Sequence, residues 1–333
     1  MRYSPFRMER WQSTYEHRVE INLSESGVHP LTTKELIEIS GKDIDIGSTL
    51  LGYGQSNGSD ELRELIADQY DGASDRSVLV TTGGAEANFT CFWHLFEGDA
   101  KATIILPTYG QVPGLLESFD SRLTGVNLRE EDGWQPDLDA LEASLADGAS
   151  FVLITNPNNP TGASLTQASM DAIAEMTDRD GAWILADEVY AGAESGDERT
   201  PSFWGSHDRV LITNSLSKAY GLPGLRLGWI MGPENLMEEL WGRTDYTTIA
   251  PASLSDQLAC VALEPGTRKR IGERTRGIVR KNLGVLEDWM SAQGGRFRYR
   301  RPDAGAICYT HYDASVNSSD FAERLRVDKS LLV

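Results

Sequence analysis

Cysteine is scarce. The 333 residues hold three, Cys91, Cys260 and Cys308, far apart and each among apolar neighbours. An odd, scattered set builds no disulfide framework, and it reads as reduced, buried packing residues of a cytoplasmic protein. Long apolar runs are missing too; none approaches the ~20 residues of a membrane-spanning helix. The N-terminus, MRYSPFRMERWQSTYEHR, is polar and lacks the apolar stretch of an export signal. The five histidines are too dispersed to suggest a metal centre. No Gly-x-Gly-x-x-Gly follows an early strand pattern, which discounts a nicotinamide dehydrogenase. Lysine is the rarer cation, with seven residues against 24 arginines.

Negative charge is what the chain has in excess. Fifty acids, divided evenly between Asp and Glu, face 31 bases and leave a net charge of −19. Neutralising phosphates needs clustered cations, so nucleic acid is excluded as a partner. A surface solvated by carboxylates and poor in lysine suits a high-salt cytoplasm, where screening removes self-repulsion, and equally an acidic enzyme working at ordinary salt. The hydrophobic fraction of 40% is that of a globular chain, long enough for one large domain or two smaller ones.

Short apolar runs at 77–80, 102–106, 150–155, 182–186, 210–213 and 227–231 alternate with helical patterns at 85–96, 112–118, 136–146 and 169–179. Parallel strands need crossovers, so this alternation predicts an α/β fold, a mostly parallel sheet with helices on both faces. From about Arg243 the texture changes. A long charged amphipathic helix is expected over 268–293, then a strand, a turn at 302–305 and another strand by 310. The expected division is an N-terminal arm over 1–35 that joins a small domain, a large domain over 36–245, and the small domain itself over 246–333.

Ligands of open α/β sheets bind beyond the carboxyl ends of the strands. The first run is followed by Gly83, Gly84, Ala85 and Glu86, which open a helix; free N–H groups and the helix dipole make an anion site there. The second is followed by Tyr109, an aromatic face. The third leads into Asn156-Pro157-Asn158-Asn159-Pro160-Thr161-Gly162, a rigid turn presenting Asn159. After the fourth come Asp187 and Tyr190. A carboxylate ending an apolar strand costs several kcal/mol unless it meets a cation, and no base lies nearby in sequence. After the fifth come Ser215, Ser217 and Lys218, then Arg226 beyond a Gly-Leu-Pro-Gly turn. Each feature alone has an ordinary explanation. Together on one sheet edge they match a ring bearing a phosphate, a protonatable nitrogen, a phenolic oxygen and an electrophilic carbon, which is pyridoxal 5′-phosphate (PLP).

The motifs NPNNPTG at 156–162, DEVY at 187–190 and SLSKAYGLPGLRLGW at 215–229 resemble the class I/II aminotransferases of fold type I PLP-dependent enzymes. Order and spacing match from about Asn22 onward. The resemblance implies that Lys218 condenses with the cofactor aldehyde and later carries the proton, for which it must be neutral. It implies that Asp187 pairs with the pyridine nitrogen, that Asn159 and Tyr190 bond the phenolic oxygen, and that Tyr109 stacks on the ring. The phosphate falls to Gly84, Ala85 and Glu86 through their backbone, to Ser215 and Ser217, and to the fork of Arg226. Tyr53, in GYG, and Thr247 resemble residues that reach a partner subunit's phosphate, which implies a homodimer with shared sites. Gly27 resembles the glycine that lies against the substrate, and Asn159 is a second candidate for substrate contact.

Family members continue beyond the position of Val333 and carry there an arginine that clamps the substrate α-carboxylate. Arg324 and Arg326 do not match that motif, so a C-terminally incomplete chain is expected. The implied reaction moves an amino group between an L-amino acid and a 2-oxo acid. Lyases, decarboxylases and cyclases share the same cofactor-binding residues and remain alternatives. A non-catalytic PLP-binding domain is disfavoured by the charge. Glu25 and Glu194 are candidates to face a cationic substrate side chain, and Arg243 an acidic one.

Overall fold

A computed structural model describes residues 3–96, 100–119 and 122–333; Met1 and Arg2 of the polar N-terminus lie outside it. Its strands are β1 (Ile21–Asn22), β2 (Val78–Thr81), β3 (Lys101–Leu106), β4 (Arg122–Arg129), β5 (Gln135–Pro136), β6 (Phe151–Thr155), β7 (Trp183–Asp187), β8 (Val210–Ser215), β9 (Gly228–Met231), β10 (Phe297–Tyr299), β11 (Thr310–Tyr312) and β12 (Leu331–Leu332). Eight form one sheet in the order β2-β9-β8-β7-β6-β3-β4-β5. The pairs from β8 through β7, β6 and β3 to β4 are all parallel, while β9 runs antiparallel to both its neighbours. The expected parallel sheet is therefore present, with six of its strands at the expected apolar runs.

Those runs are continuous because both faces of the sheet are covered. Val152 and Ile154 point into one core with Ile184, Ile212 and Trp229. Phe151 and Leu153 point into the other with Ile104, Leu185 and Leu211. Each such side chain contributes about 1.5–3 kcal/mol by leaving water. The covering helices are started by local signals: Ser59 caps Asp60–Ala67, Asp137 caps Leu138–Ala146 and Thr166 caps Gln167–Arg179. Strand β4, RLTGVNLR, lies toward the sheet edge and is mostly exposed. It has no apolar run and gave no sequence signal.

Helix Ser253–Leu263 packs on Asp60–Ala67, and Leu258 and Leu263 enter the same core as the sheet. The long helix spans Pro265–Ser291, close to expectation. Strands β10 and β11 pair antiparallel. The segment read as their turn instead docks on the large sheet's loops: the amides of Asp303 and Ala304 donate to the Gly162 carbonyl, and that of Gly305 donates to Ala193. Near the chain ends, β1 pairs with β12 in parallel register, Ile21 opposite Leu331. Helix Arg7–Tyr15 lies beside helix Ser318–Lys329, where the Arg326 guanidinium sits 3.9 Å above the Tyr15 ring. Among the described residues no helix is long and apolar enough to cross a membrane.

Candidate active site

The carboxyl ends of β2, β3, β6, β7 and β8 meet along one edge of the sheet. Thr155 pairs with Asp187, Asp187 with Thr213, and Gly228 with both Thr81 and Ser215. Beyond this edge opens a cavity of about 910 Å³. Ten residues expected to hold the cofactor line it: Gly84, Ala85, Tyr109, Asn159, Asp187, Tyr190, Ser215, Ser217, Lys218 and Arg226.

Asp187 ends its buried strand with the carboxylate turned into the cavity. Oδ2 accepts from Asn88 Nδ2 at 3.0 Å and Oδ1 accepts from the Val189 amide at 3.1 Å. It makes no ion pair among the described residues. Burial pushes its pKa up, against the pull of those two donors and of the Lys218 charge. A carboxylate so placed lacks a cation. Asn88 is itself oriented, since its Oδ1 accepts from the Thr213 hydroxyl at 2.7 Å.

Lys218 follows β8 in a short loop. Burial depresses its pKa; Glu25 and Glu9 work against that shift and Arg226 adds to it. Gly27 backs this lysine: a Cβ there would lie 3.5 Å from Lys218 Cδ. Across the cavity Asn159 Nδ2 donates to the Tyr190 hydroxyl at 3.0 Å, and that hydroxyl donates to Ser26 Oγ at 2.9 Å. Burial foremost, with the Asp187 charge adding, holds the Tyr190 phenol above its ordinary range.

The remaining corner is an anion cradle. Helix Gly84–Leu95 begins behind Gly83, whose φ of 84° suits glycine. A Cβ on Gly83 would fall 2.6 Å from an Arg226 terminal nitrogen, and one on Gly228 would fall 2.6 Å from the backbone of both Gly83 and Gly84. The missing side chains let the turn, strand and guanidinium converge. Arg226 is held by a bond from Nη1 to the Pro223 carbonyl at 3.0 Å.

Other residues singled out from the sequence stand elsewhere. Glu86 turns its carboxylate back, accepting from the Thr82 amide at 2.5 Å and from the hydroxyls of Thr247 and Thr248. Thr247 is thereby engaged within this chain. Tyr53 is 92% exposed and does not line the cavity. Glu194 is buried and accepts from the amides of Gly192 and Thr200, so it organises a loop and does not reach the cavity. Glu25 does line it. Arg326 is committed to Glu323 and Tyr15, and Cys308, read as a packing residue, is half-buried at the cavity wall.

Sequence reasoning missed Asn88, whose one signal is an amide inside the mostly apolar helix start GGAEANFTCFW. It also missed helix Arg7–Tyr15, which brings Arg7, Glu9 and Gln12 to the cavity. Phe6, just before that helix, meets the Tyr109 ring edge-on at 5.2 Å, and the Tyr109 hydroxyl donates to Glu9 at 3.4 Å.

An uncompensated acid, a depressed amine and an anion cradle facing one another over a doubly covered sheet match PLP in charge and in hydrogen-bonding pattern. The comparisons with known proteins agree: this is a PLP-dependent enzyme of fold type I. Residues 20–333 match the family described as aminotransferase class I and II, and the chain belongs to it. It is 28% identical to capreomycidine synthase of Streptomyces vinaceus over 329 residues, 98% of this chain and 84% of that protein. It is 27% identical to the arginine–pyruvate transaminase of Pseudomonas aeruginosa over 84% of this chain and 73% of that one. Among solved structures, a PLP-dependent aminotransferase from Streptococcus suis superposes with a TM-score of 0.91 at 28% identity, covering 100% of this chain and 89% of that chain. The PLP-dependent cyclase OrfR superposes with a TM-score of 0.89 at 25% identity, covering 100% and 88%.

Proposed function

We propose that this enzyme moves the amino group of an L-amino acid to a 2-oxo acid, with Lys218 as the catalytic base. The observation that carries this reading is Asp187, a half-buried carboxylate with no ion pair among the described residues, sharing one cavity with a lysine whose charge is disfavoured. When bound, PLP supplies an aldehyde for the substrate amino group and a ring that withdraws electrons from the α-carbon. Asp187 would hold a proton on the ring nitrogen, its carboxylate fixed in place by Asn88 and the Val189 amide. Lys218, its charge disfavoured by burial, would take the proton from the substrate α-carbon and carry it for return. Tyr190 and Asn159 would hold the phenolic oxygen, and Tyr109 would pack against the ring. Arg226, Ser215, Ser217 and the amides of Gly84 and Ala85 hold the phosphate. Gly27, behind Lys218, keeps the substrate side of the lysine open.

For the substrate we propose a cationic side chain. Glu9, Glu16 and Glu25 line the cavity from the N-terminal segment and outnumber Arg7 there, and the similarity to an arginine–pyruvate transaminase agrees. A cyclase acting on such an amino acid is the second reading, favoured by the likeness to capreomycidine synthase over 98% of the chain and to OrfR. We further propose a homodimer in which Tyr53 reaches the partner's site. In support, Leu50, Leu51 and Tyr53 are 84%, 84% and 92% exposed in one short segment.

The test is a panel of amino acids, arginine included, mixed with the PLP-loaded enzyme and followed by absorbance and product analysis. Conversion of bound cofactor to its amine form, abolished in Lys218→Ala, is expected. Turnover of a cationic amino acid to a ring product without that conversion would replace transfer by cyclisation. An enzyme that binds no PLP would remove both readings. Sedimentation velocity, with Tyr53→Ala and Leu51→Asp as comparisons, reads the dimer.

A further inference from the structure

Directly after Tyr190 and Lys218 the chain enters a second cavity, of about 260 Å³, which shares no lining residue with the first. Ala191 and Gly192 form one wall, Ala219 and Tyr220 another, and the first turns of helix Pro265–Ser291 a third. Four cations converge on it, Arg199, Arg268, Lys269 and Arg276, and no carboxylate lines it. None of the four forms an ion pair among the described residues. This is unexpected in a chain with 50 acids and 31 bases.

The arrangement is built, not incidental. Arg268, Gly272 and Arg276 fall at four-residue spacing on one helix stripe. A Cβ at Gly272 would lie 3.1 Å from Arg276 Nη1, so the glycine lets that guanidinium lie close along its own helix. Arg268 Nη1 is buried with no hydrogen-bond partner among the described residues, a donor that a ligand or water in the cavity would satisfy. Two acids near the cavity in sequence are committed. Glu188 accepts from Ser202 and the Phe203 amide, and Glu264 caps the helix at Thr267. The Tyr220 hydroxyl donates to Gln69 Oε1 at 2.7 Å, so the neutral part of the lining is already satisfied. What the cavity lacks is negative charge.

We propose that this cavity binds a small oxyanion carrying two or more negative charges, held by the forks of Arg268 and Arg276 with Arg199 and Lys269 at the rim. Phosphate esters and polycarboxylates share that chemistry, and the volume admits either. The ligand would touch the residues that immediately follow Tyr190 and Lys218.

The test is calorimetric titration of the PLP-loaded enzyme, so that the cradle at Arg226 is already filled. Inorganic phosphate and citrate are the probes, with ionic strength held constant by chloride. One saturable site per chain is expected for at least one probe, and the tighter of the two tells phosphate from carboxylate chemistry. Arg268→Gln and Arg276→Gln should each weaken it about tenfold, the loss of one charge-assisted contact. Should Arg268→Gln fail to fold, Lys269→Gln, at an exposed position, serves as the second variant. No binding of either probe, or binding unaffected by these substitutions, overturns the proposal.

Discussion

Gly228 and Gly84 sit in the same cradle and carry opposite expectations. A Cβ on Gly228 would meet the Gly83 carbonyl carbon and the Gly84 nitrogen at 2.6 Å and the Asn214 oxygen at 2.8 Å. All three are backbone atoms, so no rotamer change relieves the clash. Reaching an ordinary contact of 3.4 Å requires the turn and strand β9 to part by about 0.8 Å. Overpacking of this kind costs about 1–3 kcal/mol. It also moves the amides of Gly84 and Ala85 away from Arg226 and Ser215. Losing one charge-assisted hydrogen bond to a phosphate is worth about 1.5–3 kcal/mol, a ten- to hundredfold weaker hold on PLP. At Gly84, by contrast, the added methyl would meet Ser215 Cβ at 3.5 Å, an ordinary contact at a helix start. Gly84→Ala should therefore change stability by less than about 1 kcal/mol and leave cofactor affinity within a few-fold. Thermal unfolding of the apo proteins and PLP titration by absorbance read both effects. Equal PLP affinity in the two variants, or greater damage from Gly84→Ala, would refute the cradle geometry.

Asn88→Ala removes a donor to the Asp187 carboxylate and should lower turnover about ten- to hundredfold; unchanged kinetics would show that Asp187 needs no such support. Glu188 is buried, and that burial pushes its pKa from 4.5 up to about 7, against the donors Ser202 and Phe203. A raised carboxyl pKa gives stability that is present below 4.5, declines as pH rises toward about 7 and is flat above. Both hydrogen bonds use Oε1, which glutamine retains. Glu188→Gln should thus leave stability near that of the native protein at pH 4 and exceed it by up to about 3 kcal/mol at pH 8. A gain independent of pH in thermal unfolding would contradict this.

The parallel strands were legible because burial on both faces writes them as uninterrupted apolar runs, and their ends could then be read as one edge. That is why Asp187, Asn159 and Lys218 could be grouped from sequence before any geometry was known. Strand β4 was not legible, since RLTGVNLR lies near the sheet edge and takes its pairing from β3, not from its own hydrophobicity. Asn88 escaped because a buried amide in a helix looks like any other interior polar group until Asp187 and Thr213 are seen on either side. Glu194 misled for the converse reason: a loop acid reads as available, and only the fold shows its oxygen already taken by two amides. The basic cavity was invisible because Arg199 and the Arg268 cluster are some seventy positions apart and −19 describes only the sum.

The pairing of β1 with β12 has a temporal side. Ile21 and Leu331 stand more than three hundred residues apart, so the helix that walls the cavity waits for its anchor until Leu331 has left the ribosome. Closing so long a loop is slow and is rewarded only once the intervening sheet has folded. A nascent chain can therefore hold a finished sheet and an unwalled pocket at the same time.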